Sequence, residues 1–140
     1  MGIKFGKFIL ESENPARLYH FLSFIFDVEA DSKEQRNILF EFGELCFLIR
    51  QARTDIQKRC DFTLEVDEES ELKQMSQSVE FYYYKENIKD FTLDYKDESL
   101  LFSDPDGRVW SIVLLGSFSD HPAIFPQTSL LERNSAPLKM

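Results

Sequence analysis

The chain is poor in cysteine, with only Cys46 and Cys60 among its 140 residues, and the two fit neither a zinc-site nor a Cys-x-x-Cys spacing. A disulfide scaffold is thereby excluded, and both read as reduced thiols, Cys46 buried inside an apolar strand pattern. No group beside either one in sequence would activate a catalytic thiol. Also missing is any apolar run near the roughly 20 residues that cross a bilayer. The start, Met1-Gly2-Ile3-Lys4-Phe5-Gly6, has no apolar stretch and no small-residue cleavage site of the signal-peptide kind. The expectation is a cytoplasmic protein with no membrane partner. Basic residues are outnumbered, 16 against 25 acidic ones, for a net charge of −9. Such a field repels a phosphate backbone, so nucleic acid is not expected as a partner, and it favours a cationic ligand over an anionic one.

What the chain does have is apolar and aromatic content, 43% and 14%, with 14 Phe. That suffices for one packed domain. Ile3 to Glu11 reads as a strand rich in Phe and Ile. A helix follows, capped by Asn14 with Pro15 at its first position. Leu18, Phe21, Leu22 and Ile25 form its buried stripe, and its end lies near Asp27. Val28–Asp31 is a short segment, and Asn37–Phe42 and Leu45–Ile49 make a hairpin about Gly43-Glu44. After a polar connector, 52–59, the order restarts. Phe62, Leu64 and Val66 alternate with polar residues as in a half-buried strand. Glu68, Glu69 and Glu71 suit a helix N-terminus with Ser70 as its cap, and Leu72, Met75 and Val79 supply the apolar stripe. Three strands are then expected in Phe81–Tyr84, Phe91–Phe102 and Val109–Leu115. The turn Asp104-Pro105-Asp106-Gly107 precedes the last of them, with Gly107 at positive φ.

The chain thus reads strand, helix, three strands, and the same again, an internal repeat in which Gly43 and Gly107 hold equivalent places. The two modules span about 3–51 and 61–115 within a domain of residues 1–116. Pro122, Pro126 and Pro137 break up a tail, 117–140, in which only Thr128–Arg133 suits a helix.

Two features together, Asn14-Pro15 opening a helix with Phe21-Leu22, and Asp104-Pro105-Asp106-Gly107-Arg108-Val109-Trp110-Ser111-Ile112, resemble the vicinal oxygen chelate superfamily. That group includes glyoxalase I, extradiol dioxygenases, epimerases and bleomycin-resistance proteins. The resemblance implies an α+β fold of two βαβββ modules forming a cup-shaped mixed sheet with helices outside, and a homodimer. Metal-dependent members hold a divalent ion in the cup through the first and last strands of each half. Position by position, the resemblance puts those ligands at Lys7, Phe47, Asp61 and Ser111. Only Asp61 is a good ligand there, since an ammonium and a phenyl ring offer no lone pair and catalytic metals usually take three protein ligands. No cofactor and no metal is therefore expected. The two histidines lie elsewhere, His20 on the first helix and His121 in the tail.

The cup expected from this resemblance is lined by Phe5, Lys7, Ile9, Phe47, Asp61, Thr63, Glu65 and Ser111, a set suited to stacking and a few hydrogen bonds. The first-strand positions of the two halves converge, which predicts an ion pair between Lys7 and Asp61. Glu65 reads either as a base or as a salt-bridge partner. The function expected is metal-independent binding of a small organic molecule, planar or cationic, of the glyoxalase and bleomycin-resistance type. The alternatives are a metal-dependent lyase, isomerase or dioxygenase, with ligands drawn from Glu11, Glu44 or the tail, and an interaction module whose cup is filled by its own aromatics.

Overall fold

In a computed structural model the described residues are 2–3, 6–28, 37–53 and 55–116. Phe5, His121, the tail and most of Val28–Asp31 lie outside them. The first module contains β1 (Phe8–Ser12), α1 (Pro15–Phe26), β2 (Asn37–Phe42) and β3 (Leu45–Gln51). The second contains β4 (Leu64–Val66), α2 (Glu69–Lys85), β5 (Leu93–Lys96), β6 (Ser99–Ser103) and β7 (Val109–Leu114). The fold is α+β, with two helices and two open mixed sheets among the described residues.

The repeat is a repeat of topology. In the first sheet β1 runs parallel to β3 and β2 antiparallel to it, in the order β1-β3-β2. In the second, β4 runs parallel to β7, which continues antiparallel through β6 to β5. The first strand of each module therefore pairs with its last, which forces the chain to cross over through a helix lying on one face of the sheet.

Local chemistry sets the helix limits. The Asn14 side chain accepts from the Arg17 backbone N–H at 3.2 Å, Pro15 takes the first position, and Asp27 closes the helix in the left-handed region at φ 53°. Leu18, Phe21, Leu22 and Ile25 are all buried, so the stripe read at helical spacing is the face that packs on the first sheet. At α2 the N-cap is Glu68 rather than Ser70. Glu68 supplies the extended backbone that a cap requires, at φ −130° and ψ 143°, and its N–H donates to Glu71 Oε1 at 3.1 Å. Ser70 lies inside the first turn.

The segment Phe81–Tyr84, expected as a strand, is the last turn of α2. Aromatic residues have high strand propensity, but position outweighs it here. Tyr83 follows Leu72, Met75 and Val79 at helical spacing and is buried, and its hydroxyl donates to the Ser103 carbonyl at 2.6 Å. The strands of the second module begin later, and the region 91–102 divides into β5 and β6 about a turn at Asp97-Glu98.

The β6–β7 connection joins the modules. Asp104 is 2% exposed, and its carboxylate accepts from the N–H groups of Asp106 and Arg108, from Arg108 Nη1 at 2.7 Å and from Trp110 Nε1 at 3.0 Å. Burial pushes its carboxyl above the ordinary value, opposed by the Arg108 guanidinium and the indole N–H. Arg108 Nη2 in turn donates to the Glu11 carbonyl at the end of β1. Asp106 accepts from the Glu13 N–H at 3.1 Å and lies 3.6 Å from Arg17 Nη2. One tight turn of the second module is thus bonded to the strand-to-helix junction of the first.

Around this tie the core is aromatic. Phe47 packs with Phe8, Phe62 and Trp110 at ring-centroid distances of 5.5, 5.7 and 5.7 Å. On the other side Phe21 meets Tyr82 and Phe102 at 4.9 and 5.9 Å, carrying α1 onto α2 and the second sheet. Such pairs add about 0.5–1.5 kcal/mol each beyond the area they bury.

Removing the Asp104 carboxylate by Asp104→Ala leaves a buried guanidinium and indole N–H without their acceptor. It is expected to cost about 3–5 kcal/mol in urea unfolding, against less than about 0.5 kcal/mol for the exposed control Asp94→Ala. Equal losses in the two variants would show that the turn does not tie the modules. Gly107 has φ +84°, and a Cβ there would meet only Lys58 Nζ at 3.6 Å. Gly107→Val is therefore expected to cost about 1–2 kcal/mol through backbone strain alone. An unchanged unfolding midpoint would show that the backbone relaxes out of the positive-φ region.

Candidate functional site

Strand alternation places the candidate side chains on two different faces. In the first sheet Leu10, Phe47, Ile49, Ile38 and Phe40 are buried toward α1, while Ile9 and Glu11 of β1 point the other way. Glu11 is paired across the parallel ladder with Arg50, and their side chains meet at 3.3 Å. In the second sheet Leu64, Leu100, Phe102, Trp110 and Ile112 are buried, and Glu65, Leu101 and Ser111 occupy the opposite face.

A cavity of about 380 Å³ opens beside β1, where the chain approaches β4. Lys7, Ile9, Glu11 and Arg50 form its wall on the first module, and Gln57, Arg59, Cys60, Asp61 and Phe62 close it from the connector, with Arg108 beneath. The connector is held in place by β7. Cys60 N–H donates to the Val109 carbonyl at 3.2 Å, and Val109 N–H donates to the Lys58 carbonyl at 2.8 Å.

Of the eight residues expected to share one cup, Lys7, Ile9 and Asp61 line this cavity. Thr63 and Glu65 line a second one, of about 540 Å³, between β4 and the Gly43-Glu44 turn. Ser111 lies in neither. It is half-buried on the open face of β7, opposite Leu101. Phe47 does not face a cup at all. It is fully buried against Phe8, Phe62 and Trp110: the pair that closes the β2–β3 hairpin, Phe42 with Leu45, shares the face of buried Phe40, whereas the pair that closes β6–β7, Ser103 with Val109, lies on the face opposite buried Phe102, so equal counting from the two glycines lands on opposite faces. Phe5 lies outside the described residues.

Lys7 and Asp61 line one cavity, but they form no ion pair. The Asp61 carboxylate instead accepts from Gln57 Nε2 at 2.8 Å. Sequence reading missed Arg50, Gln57, Arg59, Cys60 and Arg108. Only Arg108, adjoining the Asp-Pro-Asp-Gly turn, carried a local signal. The others become neighbours through strand pairing and through the path of a connector that has no periodicity.

Neither thiol is disulfide-bonded, and Cys46 is half-buried rather than buried. Burial pushes the Cys60 thiol up to about 12, with Asp104 and Asp61 adding to the rise and Arg108 opposing it. A thiol so raised stays protonated at neutral pH, which lowers its reactivity as a nucleophile.

The two repeated modules, the crossover topology and the open sheets with helices on one face define the vicinal oxygen chelate fold, and the chain has that fold. It is similar to the fosfomycin resistance protein FosX from Listeria monocytogenes, at 15% identity over 81% of this chain and 92% of that one, with a TM-score of 0.62. It is similar to lactoylglutathione lyase from Agrobacterium tumefaciens, at 14% identity over 80% and 93%, with a TM-score of 0.59. An integron cassette protein from the mobile metagenome of a Halifax Harbour sewage outfall gives 17% identity over 79% and 98%, with a TM-score of 0.59. No family model and no curated protein matches the chain.

The same FosX is also known in complex with Mn(II) and sulfate, and the donor set here does not fit such an ion. Of the four positions that the resemblance assigns to a metal, Lys7 offers an ammonium, Phe47 is in the core and Ser111 lies away from Asp61's cavity. Among the described residues no three His, Cys, Asp or Glu side chains come together as a metal site would need. No reaction step through a metal follows from these residues.

In a Cys46→Ser background, alkylation of Cys60 by iodoacetamide at pH 8 is expected to be at least about a hundredfold slower in the folded protein than in urea. Comparable rates would mean that the thiol is ionised and available to the cavity.

Proposed function

We propose that the protein binds a small organic molecule without a metal, in the manner of glyoxalase-like and bleomycin-resistance-type binding proteins, and that the ligand occupies the cavity between β1 and the connector 57–62. The observation that carries this reading is the lining itself, in which Ile9 and Phe62 supply apolar surface beside Lys7, Asp61 and Arg59. Few polar groups on an apolar wall are what fixes the orientation of a small ligand. Metal independence is supported by the donor chemistry at Lys7, Phe47, Asp61 and Ser111, and the protonated Cys60 supplies no covalent chemistry in its place.

The working form is a homodimer. The sheet faces turned away from the helices expose apolar side chains, Ile9 at 52% and Leu101 at 39%, beside the polar site residues. A second copy laid against these faces would cover them and enclose Thr63, Glu65 and Ser111. Free thiols agree with a reducing compartment such as the cytoplasm. No described helix is long and apolar enough to cross a membrane.

A thermal-shift screen of small organic molecules, run with and without EDTA, tests this function. At least one compound is expected to raise the melting temperature equally in both conditions, and Ile9→Asp is expected to abolish that shift. A stoichiometric divalent metal in untagged protein, or shifts that vanish with EDTA, would overturn metal independence. Sedimentation is expected to give a dimer that Leu101→Glu dissociates, and a monomer throughout the micromolar range would remove the dimer.

A further inference from the structure

The sign of charge at the cavity is opposite to that of the chain. Among the described residues its lining carries Lys7, Arg50, Arg59 and Arg108 against Glu11 and Asp61, in a protein of net charge −9. The pairings decide which of these charges a ligand meets. Arg50 is neutralised by Glu11 at 3.3 Å, and Arg108 by the buried Asp104 behind it at 2.7 Å. Asp61 has its carboxylate engaged by the Gln57 amide at 2.8 Å. Lys7 and Arg59 have no ion-pair or hydrogen-bond partner among the described residues, so two unspent cations face one occupied carboxylate.

From this we propose that the cavity takes an anionic ligand, a small organic acid whose carboxylate, sulfonate or phosphonate oxygens are held by Lys7 and Arg59 while its apolar body lies against Ile9 and Phe62. The proposal rests on the reading that this cavity binds a small molecule, and it replaces the cationic ligand that net charge alone suggests. Arg59 is suited to the role because the backbone bonds of its neighbours Lys58 and Cys60 to Val109 fix its place on the cavity rim. A guanidinium there presents a planar fork to two oxygens, and the Lys7 ammonium adds a point charge beside it. Both groups are exposed, so the long-range field of the acidic surface is screened within about a Debye length while contact pairing is not.

The test uses the full chain and three probes of one shape: naphthalene-1-sulfonate, the neutral naphthalene-1-sulfonamide and the cationic 1-naphthylmethylammonium, each titrated by calorimetry. The sulfonate is expected to bind about tenfold tighter than the sulfonamide, with the ammonium weakest, and its advantage should shrink as salt is raised. In Lys7→Gln/Arg59→Gln the sulfonate should fall to the affinity of the sulfonamide. The sulfonamide itself should be unchanged, which shows that the variant's cavity is intact. A sulfonate that binds no tighter than the sulfonamide, or an ammonium that binds tighter, overturns the charge assignment and leaves small-molecule binding standing. Failure of all three probes to bind overturns both readings.

Discussion

The buried carboxylate of Asp104 is the constraint on which the remaining geometry depends. It gathers two backbone N–H groups, a guanidinium and an indole N–H, and no exposed turn would hold Arg108 and Trp110 in that relation. A guanidinium that is 3% exposed is tolerable only because this acceptor is beside it. Once neutralised, Arg108 can reach across to the Glu11 carbonyl, and Asp106 can take the Glu13 N–H at the start of α1. The same turn that starts β7 therefore sets the distance between the modules. It also places Arg108 under the cavity and holds Trp110 against Phe47.

The aromatic residues follow from that junction. Two small sheets, each covered by one helix, have too little apolar area for independent stability, and joining them gives one core in place of two. Flat rings suit a seam between elements that are not hydrogen-bonded to each other, because they can meet edge-to-face or stacked across it. Phe8, Phe47, Phe62 and Trp110 form such a seam, with Phe102 stacked on Trp110 at 6.1 Å and 7° between planes. Phe47, which the resemblance places in a ligand cup, serves instead to weld the halves.

The charge around the cavity differs from the charge of the chain as a whole. Net charge describes the distant field, whereas a ligand in contact responds to the few groups that remain after neighbouring charges have cancelled. Glu11 with Arg50 and Asp104 with Arg108 cancel by pairing, and the balance at Lys7, Arg59 and Asp61 bears no relation to the total for the chain. Cys60, its thiol pushed up to about 12 by burial, completes the lining.

Much of the fold was legible in local sequence. Asn14-Pro15 and the stripe from Leu18 to Ile25 fix α1 because capping and helical periodicity act within a few residues. The alternation from Phe62 to Val66 and the turn at Gly107 similarly locate β4 and the start of β7. Where two local signals competed, at Phe81–Tyr84, strand propensity pointed one way and the spacing of Tyr83 from Val79 the other. The hydrogen bond to Ser103 decided for the helix. The site was legible only in part. Lys7, Ile9 and Asp61 line one cavity. Phe47, in contrast, turned into the core, since the pair that closes the β2–β3 hairpin lies on the core face while the pair that closes β6–β7 faces away from it. Arg50 was set by its ladder partner Glu11, and Gln57 and Arg59 by a connector held against β7, contacts between residues far apart in the chain. Local sequence thus determined the elements and the repeat, whose causes are short-range. Which side chains share a cavity, and what charge it presents, was decided by tertiary structure, because pairing and burial between distant residues select the groups left for a ligand.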